Sequence, residues 1–160
     1  MLTKCKTANT SALIQFGHND QKVMTTTQFA TNLTSLTKMI ENAGCLPILL
    51  TSLACQTFSS EYTTSDRLGP YSAEAIKVAS DLGLPVSCVR VCVDDKLDEL
   101  NHASNDTTHL NALGAKYFRG VVADEVKAKI SALSSYIVSD ATLSEKVAAG
   151  SLELACSYVP

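Results

Sequence analysis

The sequence predicts an α/β protein with a parallel sheet and helices packed on its faces. Three observations carry this. Short apolar runs alternate with stretches of helical periodicity along the chain. Successive strand–helix–strand units of this kind are joined by right-handed crossovers. The 160 residues are 46% apolar and 18% charged, enough for a packed core and suited to one compact domain.

Ser11–Phe16 (SALIQF) is the first apolar run and reads as a buried strand. Thr25–Thr27 offer N-caps for a helix running to about Ala43. Its apolar positions Phe29, Leu33, Leu36 and Ile40 recur at steps of four, three and four, which is one helical face. Gly44 stands where a left-handed terminator is wanted. Leu46–Ser52 (LPILLTS) is the second strand, with Pro47 at its start, where a missing donor is tolerated. Residues 53–69 lack periodicity and read as a long loop. Pro70 opens a short helix over Tyr71–Leu82 that Gly83 ends. Val86–Val93 is β-branched and reads as a third strand. A helical turn or two follows over 94–101, then a loop over 102–110. The last clear helix begins near Asn111, with the stripe Ala115, Phe118, Val122, Val126, Ile130 and Leu133. These stripes are read as core. Residues 136–160 form a tail without an assigned structure.

Composition excludes some classes of function. Thirteen basic and 16 acidic residues leave a net charge of −3, against the basic excess of a nucleic-acid binder. No apolar run reaches the roughly 18 residues that a membrane span needs. The first residues show no apolar leader, so reduced thiols are the expectation for Cys5, Cys45, Cys55, Cys88, Cys92 and Cys156. No CxxC pair occurs. Cys88 and Cys92, four apart, would stand about 13 Å from one another in an extended strand, too far for a disulfide unless the run bends. Asn9, Asn32 and Asn105 open Asn-x-Ser/Thr sequons.

In a parallel sheet of this kind, chemistry collects at the carboxyl ends of the strands. Two polar clusters fall at such loops: Gly17-His18-Asn19-Asp20 and Asp106-Thr107-Thr108-His109. An amide on a tight turn can aim an N–H at an oxyanion, and a glycine lets that turn approach closely. A histidine with an acid three residues away can serve as a base in a fixed tautomer. The competing readings are local: Asn19 and Asp20 making an Asx turn, or Asp106 or Asn111 capping the last helix beside a surface His109. A metal site using His18, Asp20, His102 and His109 has plausible ligands but lacks the paired spacing of a helix-borne zinc site. Tyr62 and Tyr71 flank the long loop, where packing or a cleft lining are both open.

IQFGHNDQK (Ile14 to Lys22) resembles the Gly-x-Asn-Asp block of the SGNH (GDSL-type) hydrolases. Asp106-x-x-His109, followed by Leu-Asn and a Gly-Ala helix start, resembles their last block. With PILLTS between them, the wording is closest to the rhamnogalacturonan acetylesterase-like branch. The resemblance spans residues 11–135, a partial domain over 1–135 followed by the tail. It implies a three-layer αβα, flavodoxin-like parallel sheet, and an ester hydrolase acting on O-acetyl groups of pectic polysaccharide without a cofactor or metal. It casts Asn19 as an oxyanion donor supported by Gly17, His109 as the base and Asp106 as its orienting acid. It also implies an extracellular setting for the complete family.

The family's serine nucleophile sits in a Gly-Asp-Ser block, which is absent here, as is the second block with its glycine donor. The Asn block is reached by residue 17, so the resemblance implies an N-terminally truncated, incomplete fold with its first strands missing. Ser52, Ser59, Ser60 and Ser65 lack a nucleophile context. The expectation is therefore little or no esterase turnover. The alternative is a non-catalytic carbohydrate- or partner-binding relic of the same fold. The missing strand would leave Ala12–Phe16 as an apolar edge, predicting self-association.

Overall fold

The computed structural model describes residues 10–53, 58–60, 63–64, 67–89, 91–92, 106, 109–148 and 153–154. They fall into two compact units, Met1–Ser52 with Leu68–Ser87, and Leu53–Arg67 with Cys88–Pro160.

The first unit is the α/β part. β1 (Ser11–Gln15), β2 (Leu46–Leu50) and β5 (Val86–Ser87) form a parallel sheet in the order β1-β2-β5. The register sets Ile14 beside Leu49 and Leu50 beside Ser87. α1 (Thr26–Asn42) and α2 (Gly69–Leu82) pack on one another and on the central strand. Their shared core is Ile14, Phe29, Leu33, Leu49, Tyr71, Ala75, Val78 and Ala79. Each large side chain buried there contributes about 1.5–3 kcal/mol. Ile48 and Leu50, which alternate with Leu49 along β2, are buried too. The central strand is thus apolar on both faces, as in a three-layer αβα arrangement.

Local chemistry sets the helix ends. Thr25 Oγ1 accepts from the Gln28 N–H at 3.2 Å while Gln28 Oε1 accepts from the Thr25 N–H at 3.0 Å, a capping box. Gly44 (φ +87°) and Gly83 (φ +66°) take the left-handed backbone that ends α1 and α2. Pro70 lies in the first turn of α2. Tyr71 proves to be core: it is buried, edge-on to Phe29 with ring centroids 5.4 Å apart, and its hydroxyl donates to the Met24 carbonyl. Tyr62 lies outside the described residues, as does 94–101 with its expected helical turns.

The second unit holds α3 (Ala112–Lys129), α4 (Ser131–Ser134) and α5 (Ala141–Ala148). Two antiparallel ladders also belong to it: β3 (Phe58–Ser60) with β4 (Thr63–Thr64), and β6 (Val91–Cys92) with β7 (Glu153–Leu154). Gly120 on α3 is buried against Leu143 of α5, where a Cβ would stand 3.0 Å from the leucine Cδ1. Ser144 Oγ donates to Asp124 Oδ2 at 2.6 Å across the same pair of helices.

Four sequence expectations are corrected. The loop over 53–69 contains the β3–β4 ladder. The run Val86–Val93 is not one strand: Val86–Ser87 pairs with β2, while Val91–Cys92 pairs in another sheet. β-propensity along a run does not specify a single pairing partner. Of the stripe beginning at Ala115, Val126 and Ile130 are buried as expected, but Ala115 is exposed and Gly114, Gly120 and Val121 outside it are buried, so the buried face is rotated. Ile130 (φ −121°, ψ 84°) then leaves helical geometry and separates α3 from α4. Small residues allow close helix approach without scoring as apolar, which is how the rotation escapes a hydrophobic count. Last, Cys45 and Cys88 are disulfide-bonded rather than reduced. Redox state follows compartment, and the first residues of a sequence are an indirect report of it. Among the described residues no helix is long and apolar enough to cross a membrane.

Candidate active site

The Gly17–Lys22 turn follows β1 directly and belongs to the first unit. Gly17 is buried with φ +132°, a backbone region that L side chains rarely adopt. A Cβ there would overlap the hydroxyl of Ser52, which itself donates to the Phe16 carbonyl at 2.5 Å. The Asp20 carboxylate reaches back to accept from the Gly17 N–H at 2.9 Å. Gln21 N–H donates to the Gly17 carbonyl, and its side-chain amide donates to the His18 carbonyl at 3.2 Å. A short 3₁₀ turn over Asp20–Lys22 closes the loop.

Asn19 heads that turn but makes no side-chain cap bond to it. It is exposed, and its Oδ1 accepts from Lys22 Nζ at 3.4 Å. The Asx-type role therefore falls to Asp20, not to Asn19. Asn19 is thus an exposed residue on a turn braced by Asp20 and Gln21. Beside it, a cavity of about 250 Å³ is lined by Phe16, Asp20, Phe29, Asn32, Leu33 and Leu36.

Asp106 and His109 lie in the second unit. His109 Nδ1 is 2.9 Å from Asp106 Oδ2 and 3.1 Å from Oδ1, and Oδ1 also accepts from the His109 backbone N–H at 2.9 Å. The carboxylate thus grips both the ring and the main chain of the histidine. The Asp106 side chain is 23% exposed and the imidazole 75%. Capping of α3 is done by Asn111, whose Oδ1 accepts from the Gly114 N–H at 2.9 Å. A carboxylate only accepts, so the bonded ring holds a proton on Nδ1, and in its neutral form the lone pair is on Nε2.

The two clusters are each ordered locally, Gly17 with Asp20 and Asp106 with His109. The Asx-turn role of Asp20 was one of the readings the sequence left open; Ser52 is the positioning residue that sequence reasoning missed. The signal for Ser52 was indirect: a buried glycine needs a close neighbour, but sequence does not say which. Ser52 is 1% exposed and committed to Phe16, so it braces the turn and offers no free nucleophile. Ser59 and Ser60 lie on β3, and Ser65 lies outside the described residues, as does His102. Among the described residues, no three His, Cys, Asp or Glu side chains gather as metal ligands would.

A scan of family models and a search of curated proteins found no match to the chain. Among solved structures, the fold is similar to that of a lipase/acylhydrolase from Enterococcus faecalis, at TM-score 0.53 and 21% identity over 74% of this chain and 61% of that one. It is also similar to the protein YxiM of Bacillus subtilis, at TM-score 0.58 and 17% identity over 79% of this chain and 40% of that one. The chain spans less than two thirds of the length of either structure. What is shared at this level of identity is the α/β fold.

Proposed function

We propose that this chain carries the base and oxyanion-donor parts of a serine carboxylic-ester hydrolase of SGNH type, of the branch that removes acetyl groups from rhamnogalacturonan-like polysaccharide. The carrying observation is the grip of Asp106 on His109 Nδ1. It sets the tautomer in which Nε2 can take a proton from a hydroxyl. Asn19 supplies the amide N–H for the developing oxyanion, and Gly17 supports its turn. Such a donor is typically worth about 10²–10³ in rate. The fold likeness to a lipase/acylhydrolase supports the reading. The disulfide-bonded Cys45 and Cys88 support an extracellular or otherwise oxidising setting.

The 160 residues contain no Gly-Asp-Ser, and covalent acyl transfer needs a nucleophile within reach of its base. The chain by itself is therefore assigned little or no turnover. The purified chain, incubated with an aryl acetate and with a serine-reactive phosphonate, should match buffer in rate and take no label. Adding an acetylated rhamnogalacturonan oligosaccharide should perturb the backbone amide resonances of both Asn19 and His109. Turnover lost in His109→Ala, with a labelled serine, would overturn the inactivity. Perturbation at neither residue would overturn the site.

The lack of a Gly-Asp-Ser serine among these 160 residues leaves a second reading, carbohydrate binding by this chain without turnover. Equal affinity for acetylated and deacetylated oligosaccharide, unchanged in His109→Ala, would select it.

A further inference from the structure

One motif in the sequence is not used by the hydrolase site. Asn32-Leu33-Thr34 is an Asn-x-Thr sequon without proline, placed in α1. The other two sequons, at Asn9 and Asn105, lie outside the described residues. Asn32 is exposed, whereas the next residue, Leu33, is 5% exposed and part of the core. Among the described residues the Asn32 amide donates only to the Met24 thioether at 3.8 Å, a weak acceptor that is cheaply given up. Asn32 also stands at the lining of two surface concavities, one with Phe16 and Leu36, the other with Val23 and Thr27, so a bulky substituent has room on both sides. Independently, Cys45 and Cys88 are in disulfides. Disulfides persist in oxidising compartments, the secretory lumen among them, where sequons are modified in cells that possess the transferase.

We propose that Asn32 is the acceptor of an N-linked oligosaccharide. Asn32 Nδ2 bonds to the anomeric carbon of the reducing-end sugar of an oligosaccharide carried on a lipid diphosphate. The bond from that carbon to the phosphate oxygen breaks, and the lipid diphosphate leaves with the electron pair. The displaced amide proton passes to a base of the transferase, and nothing is oxidised or reduced.

The helix adds a constraint on timing. Positions i and i+2 of an α-helix are about 200° apart around its axis. In the folded chain Asn32 and Thr34 therefore project from different sides of α1, with Leu33 locked in the core beneath. A transferase that reads both side chains meets them together only in an extended chain. The sugar is added before α1 folds.

The test is to export the full chain behind a secretion leader in yeast, with Asn9→Gln and Asn105→Gln so that one sequon remains. The expected result is a band shifted down by glycosidase, and peptide spectra in which amidase release converts Asn32 to Asp in most molecules. Asn32→Gln should abolish the shift, and so should Thr34→Ala, which keeps the asparagine. If the double Gln background is not secreted, peptide spectra of the otherwise unaltered exported chain give the same reading at position 32. Asn32 recovered largely unmodified from secreted, folded protein overturns the proposal. For the timing, microsomal transferase with lipid-linked donor should modify reduced, unfolded chain and spare the folded chain; equal modification of both overturns that part.

Discussion

Ser52 Oγ stands at the end of β1 where a Cβ on Gly17 would have to lie, and it donates there to the Phe16 carbonyl. Together with the Asp20 carboxylate on the Gly17 N–H, this relationship holds the turn that carries Asn19. Gly17→Ala should cost about 2–4 kcal/mol, the sum of a strained φ and a steric overlap. Ser52→Ala alone should cost about 1 kcal/mol for the lost hydrogen bond. In the double variant the overlap with the hydroxyl is gone, so urea unfolding should show a favourable coupling of about 1 kcal/mol or more. Strict additivity would show that Ser52 does not set the turn.

The Asp106–His109 contact makes a prediction that needs no turnover. In the native chain, ring ¹⁵N shifts at alkaline pH should report mainly the Nδ1–H tautomer, because the carboxylate accepts at 2.9 Å. In Asp106→Asn, an amide N–H facing Nδ1 turns that nitrogen into an acceptor, and the proton should move mainly to Nε2. An unchanged tautomer ratio would mean that Asp106 does not orient the ring.

What was legible in the sequence is what local chemistry decides. Thr25 and Gln28 form their capping box three residues apart, and Gly44 and Gly83 end helices by their own backbone freedom. Asp106 and His109 are likewise close in sequence, so their meeting needs only a turn. Ser52 and Phe16 are 36 residues apart, and nothing in either segment names the other. The split of Val86–Val93 between two sheets, and the burial of Gly114 in place of Ala115, depend on what arrives from elsewhere in the chain. The disulfides depend on compartment as well as on fold.

Two hydroxyls in the first unit oppose stability. Among the described residues, Thr37 Oγ1 and Ser72 Oγ are buried in α1 and α2 without a hydrogen-bond partner. An unmet buried polar group costs about 1–3 kcal/mol. Thr37→Val keeps shape and β-branching, so helix propensity barely changes while the desolvation cost disappears. Ser72→Ala also gains a few tenths of a kcal/mol in helix propensity. Each should raise stability by about 1 kcal/mol, read as a higher urea midpoint at unchanged slope. A lower midpoint for Thr37→Val would show that its hydroxyl has a partner, such as a bound water, that the substitution removes.

β1 is the edge of the three-stranded sheet among the described residues; it presents Leu13 at 49% exposure, and Phe16, just past its end, is 52% exposed. Edge strands with apolar, uncharged side chains template pairing with another chain, and a lysine on the edge opposes it. The sequence between Ser11 and Phe16 carries no charge at all. Purified without glycan, the chain should show a scattering mass that rises with concentration. Leu13→Lys should return it to the monomer mass with little loss of stability, since this side chain is half exposed already. Amide exchange supplies the second reading: protection of Ala12–Gln15 should grow with concentration in the native chain and stay constant in the lysine variant. A monodisperse native monomer at high concentration would remove self-association through this edge.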